Sequence, residues 1–181
     1  MKGLLHKWRA RARRWRRQEE GAAAVEFALV SAAFMWVFLG IVELGLLMIF
    51  SGGLEDGVDK VARLVRTGQA DKRGLTVAHM RETICKQVVL KTACKTALVL
   101  DVRSFPDFAS INLPSPGTDA NGNPTLPASY QIGGPKTVVV VRAFYPWKFI
   151  TPLIGKLMHA FNDRVFIVQA ATAFRNEPYG S

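Results

Sequence analysis

The sequence predicts an α+β fold in which a long N-terminal transmembrane helix runs on into an exported domain carrying a small antiparallel sheet. Three observations predict it. Residues 27–42 contain no ionisable side chain and are apolar on every helical face. An amphipathic helical stripe follows without a break. Beyond it come three segments with strand character, set apart by turn residues. The 181-residue chain therefore divides into a basic leader over 1–21, a membrane helix over 22–50 and an exported domain over 51–181.

The leader holds most of the charge. The net charge of +10 suggests a nucleic-acid partner until it is located: Lys2, Lys7, Arg9, Arg11, Arg13, Arg14, Arg16 and Arg17 stand against Glu19 and Glu20, which puts +6 in the first 20 residues. So short a block beside an apolar run is a membrane flank, and no nucleic-acid partner is expected. Leu4, Trp8 and Trp15 fall near one face of a helix, which suits a segment lying on an anionic leaflet. An unstructured positive flank that only sets topology fits the same residues.

The span comes next. Residues 22–50 hold only two ionisable groups, Glu26 and Glu43. As helix, residues 27–50 extend roughly 36 Å, enough for a ~30 Å hydrocarbon layer with some tilt. A domain of this size has no interior able to surround such a rod. Basic residues crowd one flank and Glu55, Asp56 and Asp59 open the other, so the leader is expected in the cytoplasm and the rest outside. A cleavable secretory signal has a shorter core and an A-x-A-like site, and Ser51-Gly52-Gly53 matches poorly. Ala24, Ala28 and Ala32 recur every four residues and Gly40 extends the stripe, a spacing that lets helices approach closely in lipid. Glu43 is read either as a polar contact between subunits or as a side chain reaching the outer interface.

At the mouth of the span stands Glu20-Gly21-Ala22-Ala23-Ala24-Val25-Glu26-Phe27. A carboxylate in lipid costs roughly 2.5–3.5 kcal/mol on insertion scales, so Glu26 requires a partner or a place at the interface. A basic leader, a glycine and a glutamate five residues on, ahead of an apolar helix, resemble the cleavage site of type IV prepilins. The strings GAAAVEFALV, GIVELG and the C-terminal AATAFRNEPY are similar to the TadE-like pseudopilins of the tight-adherence (Tad/Flp) pilus machinery. The resemblance implies a pilin-like fold and cutting between Gly21 and Ala22 by a prepilin peptidase. Glycine, without a Cβ, would admit the protease and break the leader from the helix. It also implies that Glu26 meets the new α-amino group of a neighbouring copy, with Phe27 and Glu43 in the same assembly surface. Phe27 stands where major Flp pilins have tyrosine, and the domain is far larger than theirs, which points to a minor subunit.

The domain is read from periodicity. Leu54, Val58, Val61, Leu64 and Val65 form a stripe opposite Glu55, Asp56, Asp59, Lys60, Arg63 and Arg66, so the first helix is expected to continue until Gly68. A second helix is expected from an N-cap at Thr76 to Val89, with Val77, Met80, Ile84 and Val88 buried. Strands are expected over 98–105, 137–145 and 165–174. In the first, Asp101 and Arg103 alternate with apolar residues and fall on the solvent face. The second, TVVVVRAFY, is continuously apolar and β-branched, hence central. Residues 146–161 form a helical or coil connector. Residues 106–135, with six prolines and four glycines, read as a long loop that is mobile or an interaction surface. Asp119, Asn121 and Asn123 faintly suggest a calcium loop, but an Asn-Gly turn explains them better.

Cys85 and Cys94, on the oxidising side, are expected to form a disulfide that fastens the second helix to the start of the first strand. No catalytic motif is present: there is no G-x-S-x-G, phosphate-binding glycine loop or H-E-x-x-H, and His6, His79 and His159 are scattered. No enzymatic activity, cofactor or metal site is expected. The residues themselves point to a single-span inner-membrane protein with a periplasmic domain. The resemblance to the TadE-like pseudopilins implies that it is cut and placed in an adhesive pilus, supporting attachment and biofilm formation, with the prepilin peptidase, other pilin and pseudopilin subunits and the inner-membrane assembly platform as partners beside the lipid bilayer. The alternative is an unprocessed, permanently anchored periplasmic scaffold or assembly factor.

Overall fold

The computed structural model describes residues 19–120, 123–151, 154–158 and 165–179. The expected face of Leu4, Trp8 and Trp15 lies outside them. The fold is α+β, an apolar N-terminal helix followed by a domain with a small antiparallel sheet. Helix α1, Glu19–Arg66, runs through both of the units into which the chain divides, one ending at Ile41 and the other beginning at Val42.

In the first unit the helix is almost wholly exposed: Phe27, Leu29, Val30, Phe34 and Ile41 all point outward. It is long and apolar enough to cross a membrane. In the second unit α1 turns amphipathic. Leu47, Phe50, Leu54, Val58, Val61 and Val65 are buried at three- and four-residue spacings and form one wall of the core. Leu64, at the edge of that stripe, is only half-buried. The helix ends as expected, with Gly68 left-handed at φ 71°. A Cβ there would lie 2.5 Å from the ring of Tyr179, so glycine is required twice over.

A short helix α2, Gln69–Lys72, leads to α3, Val77–Cys85. Thr76 caps α3 through a reciprocal pair with His79: the His79 N–H donates to Thr76 Oγ1, and the Thr76 N–H donates to His79 Nδ1. The helix is four residues shorter than its apolar spacing suggests. After a turn the chain forms α4, Lys91–Ala97, which periodicity does not reveal because KTACKTA has only one buried residue, Cys94. The disulfide joins Cys85, at the end of α3, to Cys94 within α4, with Cα atoms 5.6 Å apart. It therefore ties helix to helix and reaches the first strand only indirectly.

The sheet order is β4-β1-β5-β6, with β1 Val99–Phe105, β2 Gly117–Thr118, β3 Pro124–Thr125, β4 Ser129–Tyr130, β5 Val138–Lys148 and β6 Val165–Arg175. Strands β1, β5 and β6 are antiparallel; β4 adds a two-residue parallel pairing on β1. As its composition implies, β5 lies between two partners. It runs three residues farther than expected, through Pro146. Pairing with β1 stops at Phe144, so at Pro146 the strand has only β6 beside it and a missing donor is tolerated. A four-residue helix, α5 Ile154–Leu157, stands in the connector to β6.

Both faces of β5 are buried. Val139, Val141, Ala143, Tyr145 and Trp147 join the core with α1, and Phe50 packs against Tyr145 and Trp147 with ring centroids 4.5 and 5.5 Å away. On the other face Val138, Val140, Arg142 and Phe144 are buried as well. At that face Arg142 Nη1 donates to the Pro114 carbonyl and Arg175 lies over the Phe108 ring, while β4 extends the sheet beside β1 and β2–β3 form a separate pair. The expectation that Asp101 faces solvent is therefore overturned. It is 1 % exposed, paired in register with Arg142, and its carboxylate receives Arg142 Nη2 at 2.5 Å and Arg103 Nε at 3.0 Å. A strand's alternation shows which residues share a face, but not whether a loop covers it.

Candidate assembly surface on the N-terminal helix

Gly21 and Ala22 are already helical and exposed, so within the described residues Gly21 does not break the helix. One glycine in a helical turn costs only about 1 kcal/mol relative to alanine, which an otherwise Ala- and Val-rich turn tolerates. A Cβ at Gly21 would meet nothing within 4 Å. The position is thus sterically free in the chain itself, and any requirement for glycine there comes from outside the fold.

Glu26 is exposed and Phe27 is 75 % exposed, one after the other in a stretch of helix, 22–42, with no other ionisable side chain. Ala24, Ala28 and Ala32 are exposed too and leave a shallow stripe. Gly40, at the far end of the same spacing, is buried. The stripe is thus open only over its first three members.

Glu43 behaves differently from Glu26. It is buried, and its two carboxylate oxygens accept the backbone N–H groups of Ile150 at 2.6 Å and Thr151 at 2.9 Å. Both donors lie on the connector after β5, more than a hundred residues away in sequence. Neither of the readings drawn for Glu43 from the sequence names this partner. Nothing in Lys148-Phe149-Ile150-Thr151 marks those amides as donors, since backbone groups carry no residue-type signal. The bond satisfies a carboxylate and two amides at once, which matters where water is scarce.

The C-terminal string has a structural part. Buried Asn176 donates from Nδ2 to the carbonyls of Ile132 and Gly134, and the Glu177 N–H donates to Arg66 at the end of α1. Tyr179 packs on Gly68. The string therefore closes the domain onto the last turn of α1. Among the described residues no group of three or more His, Cys, Asp or Glu side chains is placed to hold a metal ion.

A protein-family model described as TadE-like protein matches the chain from Gly21 to Arg63. Residues 21–63 are thus similar to that family. No curated protein matches the chain, and neither does any solved structure. The TadE-like segment begins at Gly21, the residue at which the prepilin resemblance starts. It takes in Glu26, the alanine stripe and Glu43, and ends three residues before α1 does. The sheet lies beyond it.

Proposed function

We propose that this protein is a minor pilin of a Tad-type adhesive pilus, anchored in the bacterial inner membrane by α1 with its domain in the periplasm. A prepilin peptidase cuts between Gly21 and Ala22 and removes the arginine-rich leader. The freed subunit then joins other pilin and pseudopilin subunits on the inner-membrane assembly platform. The TadE-like match over residues 21–63 carries this reading. The exposure of Glu26 supports it, because a carboxylate on an apolar rod needs a cation and the new amine of Ala22 on an adjoining copy supplies one. Such a pair at ~4 Å is worth about 4 kcal/mol at an effective dielectric of 20, before desolvation is subtracted. That is enough to set axial register between helices whose other contacts are apolar and slide easily. The protein's contribution is structural, through assembly and not catalysis.

The test is the N-terminus of the native protein. Intact mass and N-terminal sequencing of material from membranes and from sheared filaments are expected to give a chain beginning at Ala22. Because a Cβ at Gly21 meets nothing in the fold, Gly21→Val is expected to accumulate in the membrane at full length with its domain folded. Wild-type protein recovered with its leader intact overturns the pilin reading and leaves an anchored periplasmic scaffold.

A further inference from the structure

Glu43 determines where the β5–β6 connector meets α1. Its bonds to the amides of Ile150 and Thr151 pin the connector at that turn of the helix. On either side the connector is embedded in the core through Phe149 and Ile154. Between them, Ile150 is 91 % exposed, and Leu157 at the end of α5 is 74 % exposed. A large aliphatic side chain presented to water by a backbone bonded and packed on both sides has no folding reason to be there.

The helix surface at the same turns is of the same kind. Val42, Leu46, Met48 and Ile49 are exposed, and no ionisable residue occurs between Glu43 and Glu55. Lys148, at the start of the connector, is exposed. Apolar tips at the level of an apolar helix surface, with a basic side chain beside them, form the pattern of an interfacial membrane contact. The tips enter the acyl boundary, and the Lys148 stem lets its ammonium group reach phosphate.

We propose that Ile150 and Leu157 dip into the outer leaflet of the bilayer that α1 spans, with phospholipid as the occupant of the surface they present. Glu43 is the latch that holds this second membrane contact against the helix. Ile150 and Leu157 by themselves are far too little surface for a stable interface with a second copy, which needs about 800 Å² per partner. Lipid requires no such area, because the helix at the same turns already presents Val42, Leu46 and Ile49 to it. The contact fixes the height of the domain at the membrane surface. It must be given up together with the helix when the subunit leaves the bilayer.

This inference rests on the reading of α1 as a membrane span. It is tested on the full chain in phospholipid vesicles by spin labels at Phe34→Cys, Ile150→Cys, Leu157→Cys and Phe108→Cys, one at a time, with the Cys85–Cys94 disulfide intact. Phe108 lies beside Arg175, at the opposite end of the sheet from Lys148, and serves as the aqueous control. Collision with oxygen relative to a water-soluble nickel chelate is expected to be several-fold higher at Ile150 and Leu157 than at Phe108, as it is at Phe34. A Glu43→Ala background is expected to bring Ile150 down toward Phe108 while leaving Phe34 unchanged; an unmoved Ile150 overturns the latch. A lipid-like Phe34 with aqueous Ile150 and Leu157 overturns the proposal alone. An aqueous Phe34 overturns the span and the proposal together. Spin–spin broadening at Ile150, with low access to both reagents, assigns the surface to a second copy and also overturns it.

Discussion

Asp101 and Arg142 face each other across β1 and β5 at a paired register position, and neither reaches solvent. Arg142 also donates to the Pro114 carbonyl and lies 5.2 Å from the centroid of Phe144, so one guanidinium ties sheet, loop and ring together. A buried pair contributes little net stability when intact, but removing one member strands the other. Arg142→Ala is therefore expected to destabilise the domain by about 3–5 kcal/mol. Replacing both residues by apolar side chains of similar volume is expected to cost far less. Denaturant unfolding of the single and double variants checks this, and equal losses in the two would contradict it.

At the scale of elements, the seat of α3 on α1 depends on two glycines. A Cβ at Gly57 would stand 2.8 Å from Ile84 Cα, and one at Gly53 would stand 2.6 Å from the Gln87 carbonyl oxygen. Both obstacles are backbone, so the helices must separate if either glycine gains a side chain. Gly57→Ala is expected to lose about 1–3 kcal/mol through overpacking, against at most about 1 kcal/mol gained in helix propensity. Gly52→Ala, where a Cβ meets nothing within 4 Å, is the control and is expected to stabilise slightly. Thermal unfolding of the two variants should move in opposite directions. The disulfide acts on the neighbouring joint between α3 and α4. Closing a loop of about ten residues is worth ~2.5–3 kcal/mol in the chain-entropy model. The Cys85→Ser/Cys94→Ser variant is accordingly expected to unfold at lower denaturant with α1 still in the membrane, and a reductant should do the same to the wild type.

For the whole molecule, the pH dependence of stability has two limbs with different causes. Tyr130, Tyr145 and Tyr179 all have phenols raised above the ordinary 10.0 by burial, Tyr179 with a further push from Asp71. A raised acid holds its proton longer in the folded chain than in the unfolded one. Its contribution is complete below the unfolded value and is lost as pH rises past it. Stability is expected to fall with pH beyond about 10, in step with tyrosinate absorbance on unfolding. On the acid side Glu82 is lowered, first by Lys86 and then by Lys95. That contribution is present above the ordinary carboxylate value and fades as pH falls below it. Because the group is exposed the effect is small, and added salt should erase it. A salt-insensitive acid limb would contradict this assignment to Glu82.

Local composition determined a good deal. A rod apolar on every face, a charge-poor stretch bordered by arginines, the stripe from Leu54 to Val65, the Thr76 cap and three β-branched strands are properties of neighbours in sequence. They are legible because solvation and backbone preference act within a few residues. The prepilin-like junction at Gly21 to Phe27 belongs to the same class, since its signal is a spacing of five. Tertiary structure alone decided the rest. The pairing of buried Asp101 with Arg142, the glycine notch at Gly53 and Gly57, and the amides of Ile150 and Thr151 on Glu43 each join residues that periodicity does not connect. Burial is set by what the rest of the chain lays on top of a residue, and a backbone donor is the same in every residue but proline.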